Sequence, residues 1–240
     1  MGGYLNICLH PFVSGRALRI AMLDRLFSRM KTLPGCGSRA ARRWRATASP
    51  PAHPRPERSG TMPWKDGYTI SDERSLADAE VAWPGGARCC VTLTVDLSPP
   101  CGPAGIQAAD LRTPDAQYGM HGGLDALLGV LRKHRLRATF AVPAVIAGIH
   151  ADRVQALAAE GHEIAAHGYR HEDVSGLDRA EERARLDRTT AMIAAATGYR
   201  PMGWYSLARP GDNRRRQHQP AHHGAADRGR LRLYGQWPGR

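Results

Sequence analysis

Two histidines four residues apart, His167 and His171, are the side chains of this sequence best suited to chemistry. In a helical turn this spacing would place both imidazoles on one face, close enough to share a metal ion. Neutral imidazoles suit Zn²⁺, and a carboxylate commonly completes such a site. Asp96, which ends an apolar, β-rich segment, is the obvious carboxylate. From these residues alone, a metal site and a chance pairing of histidines both stay open.

The elements that must position these side chains alternate between strands and helices. Apolar β-rich runs predict strands, and a 0, 3, 4, 7 spacing of leucines predicts the first helix. An Asp178–Glu181 capping box opens the last helix, and Gly198 ends it. The predicted strands cover 88–96, 136–142 and 162–166, and the predicted helices cover 122–134, 152–160 and 178–198.

This alternation predicts an α/β fold, with a parallel sheet or barrel and helices outside it. In such folds the chemistry lies at the carboxyl ends of the strands. Here those ends are Asp96, Pro143 and the segment that begins at His167. The sequence therefore predicts that Asp96 and the two histidines meet at one edge of the sheet.

Four stretches together resemble the polysaccharide deacetylase family (the NodB homology domain, carbohydrate esterase family 4). GHEIAAHGYRHE at 161–172 resembles the metal-binding motif, and VTLTVD at 91–96 resembles the first strand with its Asp motif. The segment 118–142 resembles the following helix and strand, and TGYRPMGWYS at 197–206 resembles the entry to the third motif. The resemblance covers about residues 83–207. It is closest to the branch with peptidoglycan-deacetylase-like and allantoinase-like amidohydrolases.

The resemblance implies a distorted (β/α) barrel and a hydrolase that cleaves a carbon–nitrogen bond other than a peptide bond. The substrate would be an N-acetylated glycan or a small amide, attacked by metal-activated water. The family pattern makes His167 and His171 ligands of Zn²⁺ or another divalent metal. It makes Asp96 the catalytic base or the carboxylate ligand.

The sequence departs from the family pattern in three places. Ser98 stands where a second Asp is expected, so the motif carries one carboxylate. Trp204 and Tyr205 could line a substrate-binding pocket or fill the core, and the sequence favours neither. The later strands of the family, with a catalytic histidine near the end of the barrel, have no counterpart after Leu207. These departures predict a barrel that is incomplete on its C-terminal side and an activity that is impaired.

The formal charge of +12 lies entirely in the two ends of the chain. Residues 1–61 carry +9 and residues 208–240 carry +6, whereas the deacetylase-like domain at 62–207 carries −3. Both ends are predicted to be mostly disordered, apart from an amphipathic helix at 17–31. We interpret that helix as marginal and without a packing partner; a membrane-surface anchor or transit peptide is the alternative. We also expect Met62 to be the original start and 208–240 to be a truncated or shifted-frame terminus.

Other classes of protein fit the sequence less well. No apolar run approaches the ~20 residues of a membrane-spanning helix. Five cysteines without a CxxC pair predict reduced thiols and a cytoplasmic protein. The alternative to an enzyme is a non-catalytic protein whose arginine-rich ends bind nucleic acid or another polyanion. A further alternative is a domain that binds glycan or a small amide without cleaving it. No specific nucleic acid partner is expected.

Overall fold

The computed structural model describes residues 3–38, 83, 86–174, 177–205 and 232–234. Seven strands are present in these residues: β1 (Gly3–Leu9), β2 (Cys36–Ser38), β3 (Cys89–Asp96), β4 (Thr139–Val142), β5 (Glu163–Ala166), β6 (Gly203–Tyr205) and β7 (Arg232–Tyr234). The α-helices are α1 (Pro11–Ser14), α2 (Ala17–Thr32), α3 (Pro114–Tyr118), α4 (Leu124–Lys133), α5 (Ala144–Ile149), α6 (Ala151–Ala159) and α7 (Arg179–Thr197). A 3₁₀ turn at Asp110–Arg112 and a π-helical turn at Gly119–Gly123 flank α3.

The strands form one parallel sheet in the order β1-β3-β4-β5-β6-β7, with β2 also paired to β3. The sheet curls into part of a barrel, so the predicted α/β barrel architecture is confirmed. Strand β1 pairs with β3, and β4 follows β3 on the sheet path. In a closed barrel the last strand would lie where β1 lies, beside the first strand of the series β3 to β6.

Strand β3 shows how the two faces of the sheet differ. Val91, Leu93 and Val95 are buried in the hydrophobic core beneath the helices. Thr92 and Thr94 alternate with them and donate hydrogen bonds to the Asn6 side chain of β1. Because alternate residues of a strand face opposite sides, Asp96 lies on the polar, inner face together with the two threonines.

The helices largely follow the predicted pattern. Helix α4 buries the predicted leucine stripe, and Asp178 caps α7 by accepting hydrogen bonds from the Ala180 and Glu181 N–H groups. Gly198 ends α7 with a left-handed φ of 81°, as its position predicted. Strand β4 is shorter than predicted because the Leu136 N–H still donates to the Leu131 carbonyl, which keeps this segment in the turn after α4.

The prediction of a mostly disordered extension at 1–61 is wrong for residues 3–38. They form β1, α1, α2 and β2, and β1 pairs with β3 along its whole length. Helix α2 has a packing partner after all, because Leu23 and Phe27 are buried in the main core. Residues 39–61 lie outside the described part of the chain.

Gly15 and Gly123 allow the N-terminal segment to pack closely against the turn that opens α4. A Cβ added to Gly15 would come within 2.4 Å of the Gly123 Cα, and one added to Gly123 would come within 2.4 Å of the Pro11 carbonyl oxygen. Both distances are below any real Cβ contact, so neither position accepts a side chain without movement of the backbone. The N-terminal segment therefore lies directly against the turn that opens α4.

The predicted basic tail at 208–240 is described only at β7, which pairs in parallel with β6. The prediction of disorder is wrong for these three residues. They pair with the backbone N–H and C=O groups along the edge of β6, which can accept another strand. All five cysteines are described, and all are free thiols. Within the described residues, no helix is both long and apolar enough to cross a membrane.

Candidate metal centre

Asp96, His167 and His171 converge at one end of the sheet. Each offers one ligand atom, and these three atoms lie within 4.8 Å of one another. Asp96 ends β3, and His167 follows directly after β5, so parallel strands deliver them to the same edge. The structure thus brings together the three residues that the sequence grouped.

Asp96 is a buried carboxylate with fixed partners. Its Oδ1 accepts a hydrogen bond from the Ser98 N–H at 2.8 Å, and its Oδ2 lies 3.4 Å from His167 Nε2. Burial alone would raise the pKa of the Asp96 carboxyl, but attraction to His167 and hydrogen bonds from His167 and Ser98 lower it below its usual range. Asp96 is therefore ionised at neutral pH, as a ligand or a general base must be.

His167 is held so that one ring nitrogen remains for the site. Its Nδ1 lies 3.0 Å from the Tyr205 carbonyl oxygen, which can only accept, so Nδ1 carries the proton. Nε2 lies 3.4 Å from Asp96 Oδ2, where its proton points at the carboxylate, and it is the ring nitrogen that could bind a metal ion after losing that proton. Burial lowers the pKa of His167, but Asp96 and the Tyr205 carbonyl more than offset this and raise it.

The segment from His167 to His171 is a loop, so the predicted helical turn is wrong. Gly168 and His171 both have left-handed backbones, with φ of 76° and 61°. The loop is fixed instead by two N–H groups of α5: Ala144 donates to the Gly168 carbonyl at 3.0 Å, and Val145 donates to the Tyr169 carbonyl at 2.9 Å. Left-handed backbone at a non-glycine residue is strained and clusters at functional sites. Here it turns His171 back toward His167, with ring centroids 4.6 Å apart.

The second imidazole is neutral and has its own partner. His171 Nδ1 lies 3.5 Å from the Cys101 thiol. Burial, followed by repulsion from His167, lowers the pKa of His171 to about 4. A neutral imidazole is the protonation state that binds metal ions.

Glu172 connects the loop that carries His167 and His171 to helix α7. The whole residue is 3% exposed. Its carboxylate accepts a hydrogen bond from the Arg170 N–H at 2.7 Å and forms an ion pair with Arg185 of α7 at 2.6 Å. The sequence left open whether Glu172 is solvated or supports a histidine. The structure shows that it ties the histidine loop to α7.

His10 is a residue of this site that sequence reasoning missed. It follows β1, and its Nδ1 lies 3.7 Å from Asp96 Oδ2; this nitrogen is buried and has no hydrogen-bond partner. The sequence analysis found no counterpart of the family's catalytic histidine after Leu207. A third imidazole nevertheless lies beside Asp96, and it belongs to His10 in the N-terminal segment. The available signal was the β-rich run YLNICL at 4–9, which His10 follows directly, much as Asp96 ends the β-rich run at 91–96.

Trp204 and Tyr205, for which the sequence allowed two roles, are both buried. Trp204 belongs to the main hydrophobic core, and Tyr205 packs with Ala141 and Ala165. The Tyr205 hydroxyl and Thr94 Oγ1 are hydrogen-bonded at 2.9 Å, and its carbonyl orients His167. Trp204 therefore lies in the main core, whereas Tyr205 lies on the inner face of the sheet beside Thr94 and His167. A substrate-binding role for either side chain stays a prediction.

The chain is similar to several known proteins. The family model described as polysaccharide deacetylase matches residues 89–217. The chain is 31% identical over 83 residues to the uncharacterized protein YlxY of Bacillus subtilis (strain 168), covering 35% of this chain and 26% of that protein. It is 26% identical over 117 residues to the peptidoglycan deacetylase of Helicobacter pylori (strain ATCC 700392 / 26695), covering 48% of this chain and 40% of that protein. The matches thus span less than half of each curated relative.

The solved structure of IcaB from Ammonifex degensii has a similar fold. It superposes with a TM-score of 0.57 over 97% of this chain and 83% of that chain, at 11% sequence identity. At this identity the likeness concerns the fold alone. The family model, by contrast, matches more than half of the chain on sequence, and this chain therefore belongs to the polysaccharide deacetylase family.

Proposed function

We propose that this chain hydrolyses a carbon–nitrogen bond other than a peptide bond, in an N-acetylated glycan or a small amide. The observation that carries this proposal is the convergence of Asp96, His167 and His171 to within 4.8 Å, at the carboxyl ends of parallel strands. Membership of the deacetylase family supports the same chemistry. The substrate and the cytoplasmic location remain predictions.

The donor set fits a divalent cation such as Zn²⁺. Metal–ligand distances for His and Asp are about 2.0–2.2 Å, so three ligand atoms around one ion lie roughly 3–4 Å apart. The observed cluster needs only small side-chain movements to reach this spacing. The Nδ1–H of His167 is already engaged by a carbonyl, which leaves Nε2 as its ligand atom. When bound, the ion would supply Lewis acidity that activates water and polarises the amide carbonyl.

Asp96 has one oxygen engaged and one available. Oδ1 accepts the Ser98 N–H, while Oδ2 faces His167 and His10. The family pattern assigns this carboxylate either to the ion or to the proton of the attacking water. Both roles require the ionised carboxylate that the depressed pKa provides.

His10 is placed to complete the proton transfers. Cleavage of an amide requires a proton on the leaving nitrogen, and an imidazole is the usual donor near neutral pH. The His10 Nδ1 faces the site at Asp96 and has no hydrogen bond elsewhere. We assign it the role of proton donor to the leaving amine.

The first test measures bound metal and hydrolysis together. The full chain is loaded with Zn²⁺, and release of acetate from an N-acetylated chitooligosaccharide is followed. His167→Ala and His171→Ala should each weaken Zn²⁺ binding by more than the roughly 10–100-fold seen when only a ligand's supporting partner is lost. His121→Ala, at an exposed histidine outside the cluster, is the matched control. Unchanged metal content in both ligand variants would overturn the proposed site.

The second test separates proton transfer from metal binding. His10→Gln should keep the Zn²⁺ affinity of the parent and lower kcat by about 10²–10⁴-fold, the usual contribution of general acid–base catalysis. If Zn²⁺ affinity falls as far as in His167→Ala, His10 is a ligand instead. If neither quantity changes, His10 has no part in the reaction.

The alternative predicted from charge, a non-catalytic polyanion binder, concerns residues that mostly lie outside the described part of the chain. No contact of the described residues favours it, and we do not propose it.

A further inference from the structure

Cys36 and Cys89 lie directly opposite each other on neighbouring strands. Cys36 opens β2, Cys89 opens β3, and the two are register partners in a parallel pair. Adjacent strands are about 4.8 Å apart, within the roughly 4.4–6.8 Å range of Cα separations that disulfides span. Register partners of a parallel pair point to the same face of the sheet. The Cys89 thiol lies 3.9 Å from the carbonyl oxygen of Gly35, the residue directly before Cys36.

The backbone around the pair is fixed. The Gly35 carbonyl accepts hydrogen bonds from the Arg88 and Cys89 N–H groups, at 2.7 and 3.1 Å. Gly35 itself has a left-handed φ of 77°, which turns the chain from α2 into β2. Both cysteines are partly exposed.

We propose that Cys36 and Cys89 form a reversible disulfide that covalently joins the N-terminal segment, residues 3–38, to strand β3. The segment carries His10 and β3 carries Asp96, so the bond would link the two parts of the chain that meet at the candidate metal centre. The disulfide itself does not depend on any activity of that centre.

The oxidant is a small disulfide such as glutathione disulfide. A thiolate of the pair attacks one of its sulfur atoms, the glutathione S–S bond breaks, and one glutathione thiolate leaves. The second cysteine thiolate then attacks the protein sulfur of the mixed disulfide and releases the second glutathione. Two protein thiols are oxidised and one glutathione disulfide is reduced, and the two protons end on the two glutathione thiols.

The rate of this exchange should increase with pH. Burial, and then the neighbouring Cys89 thiol, raises the pKa of Cys36. A protein thiolate is the attacking species in both steps. A larger thiolate fraction at alkaline pH therefore speeds the exchange.

Cys90 provides a matched control because it is adjacent in sequence but points to the opposite face of β3. It is buried, its register partner is Gly37, and burial raises its pKa to about 12. It therefore has neither a partner in this register nor a reactive thiolate.

The experiment uses the full chain, incubated with glutathione disulfide, alkylated, and digested with trypsin under non-reducing conditions. Trypsin releases Cys36 in peptide 32–39 and Cys89 in peptide 89–112, which also contains Cys90 and Cys101. The intact protein should lose the mass of two hydrogen atoms, and the two peptides should appear joined. Fragmentation of the joined peptides locates the bridging sulfur in the unsubstituted protein, so the result does not depend on whether a variant folds.

The variants then give the specificity. Cys36→Ser and Cys89→Ser should abolish the joined peptide, whereas Cys90→Ser and Cys101→Ser should retain it. A joined peptide in Cys89→Ser, or fragments that place the bridge at Cys90 or Cys101, would overturn the assignment. An intact mass that does not change after incubation with glutathione disulfide would also overturn it.

Discussion

The Phe27 ring of α2 packs edge-on against the His134 imidazole at the end of α4, with centroids 5.8 Å apart and an interplanar angle of 70°. Asp24, one turn earlier on α2, accepts a hydrogen bond from Lys133 Nζ and lies 2.7 Å from His134 Nε2. An apolar contact and a polar contact thus fasten α2 to the same helix end. This pairing makes the N-terminal segment part of the domain core.

Phe27→Ala should lower the free energy of unfolding by about 3 kcal/mol, because it removes a ring that is 1% exposed and leaves a cavity. Chemical denaturation followed by circular dichroism measures this change. Leu26→Ala is the matched control on the same helix, since Leu26 is exposed and its loss should cost no more than about 0.5 kcal/mol. Equal losses in the two variants would mean that α2 does not pack on the core.

Ser98→Asp should strengthen metal binding by roughly tenfold or more, because a second carboxylate adds a hard anionic ligand beside Asp96. Without metal, the same substitution should lower the melting temperature, because Ser98 is buried and a second carboxylate there is unpaired. Calorimetric titration with Zn²⁺ and melting curves with and without Zn²⁺ measure both effects. Ser98→Asn is the control, because an Asn side chain has nearly the same shape as Asp but no charge. If Ser98→Asn binds Zn²⁺ as tightly as Ser98→Asp, the added charge is not the cause of the stronger binding.

Arg185→Ala should destabilise the protein by about 1–3 kcal/mol, because it leaves the buried Glu172 carboxylate without its cation. It should also weaken Zn²⁺ binding, since Glu172 holds the loop that carries His171. Arg183→Ala on the same helix is the control, because the Arg183–Asp187 pair is exposed and is worth little. Denaturation curves and Zn²⁺ titrations of the two variants test the difference; a loss of affinity common to both would contradict a specific role for Glu172.

His162 should make the protein less stable in acid. Burial, and then repulsion from Arg137, lowers the pKa of His162 to about 4, and its Nδ1 accepts the Ala138 N–H at 3.2 Å. Between the ordinary pKa of 6.5 and about 4, the unfolded chain takes up a proton that the native state excludes. The free energy of unfolding therefore decreases as pH falls through this window, by up to about 1.4 kcal/mol per pH unit from this group.

His162→Asn keeps an acceptor for the Ala138 N–H and removes the titrating group. Its free energy of unfolding, measured in chelator from pH 7 to pH 4, should depend less steeply on pH than that of the parent. Parallel pH curves for the two proteins would show that His162 does not supply this dependence.

Much of the site could be predicted from the sequence because its residues follow local rules. The apolar run before Asp96 and the short run before His167 each predicted a strand, and the carboxyl ends of parallel strands meet at one edge. The HxxxH spacing drew attention to two histidines that the structure brings together, but through a helical turn that the structure does not contain. The two rings meet through a strained loop that depends on contacts with α5 and Glu172, and such contacts leave no periodic pattern in the sequence.

The N-terminal segment was misjudged because its evidence is not local. Arg19, Arg25 and Arg29 gave it the charge typical of a disordered end, yet all three are exposed on the outer side of a packed helix. What orders the segment is the pairing of β1 with β3 and the close approach of Gly15 to Gly123. Neither contact can be inferred from neighbours along the chain, and His10 was missed with the strand that carries it.

The pairing of β1 with β3 also sets an order of events in folding. Tyr4 and Thr92, hydrogen-bonded across these two strands, lie 88 positions apart in the chain. During synthesis β1 leaves the ribosome first but has no partner until β3 has been made. Contacts of such long range close large loops and slow folding, whereas β3 to β5 pair with near neighbours. His10 should therefore join Asp96 late, after β3 to β5 have already formed.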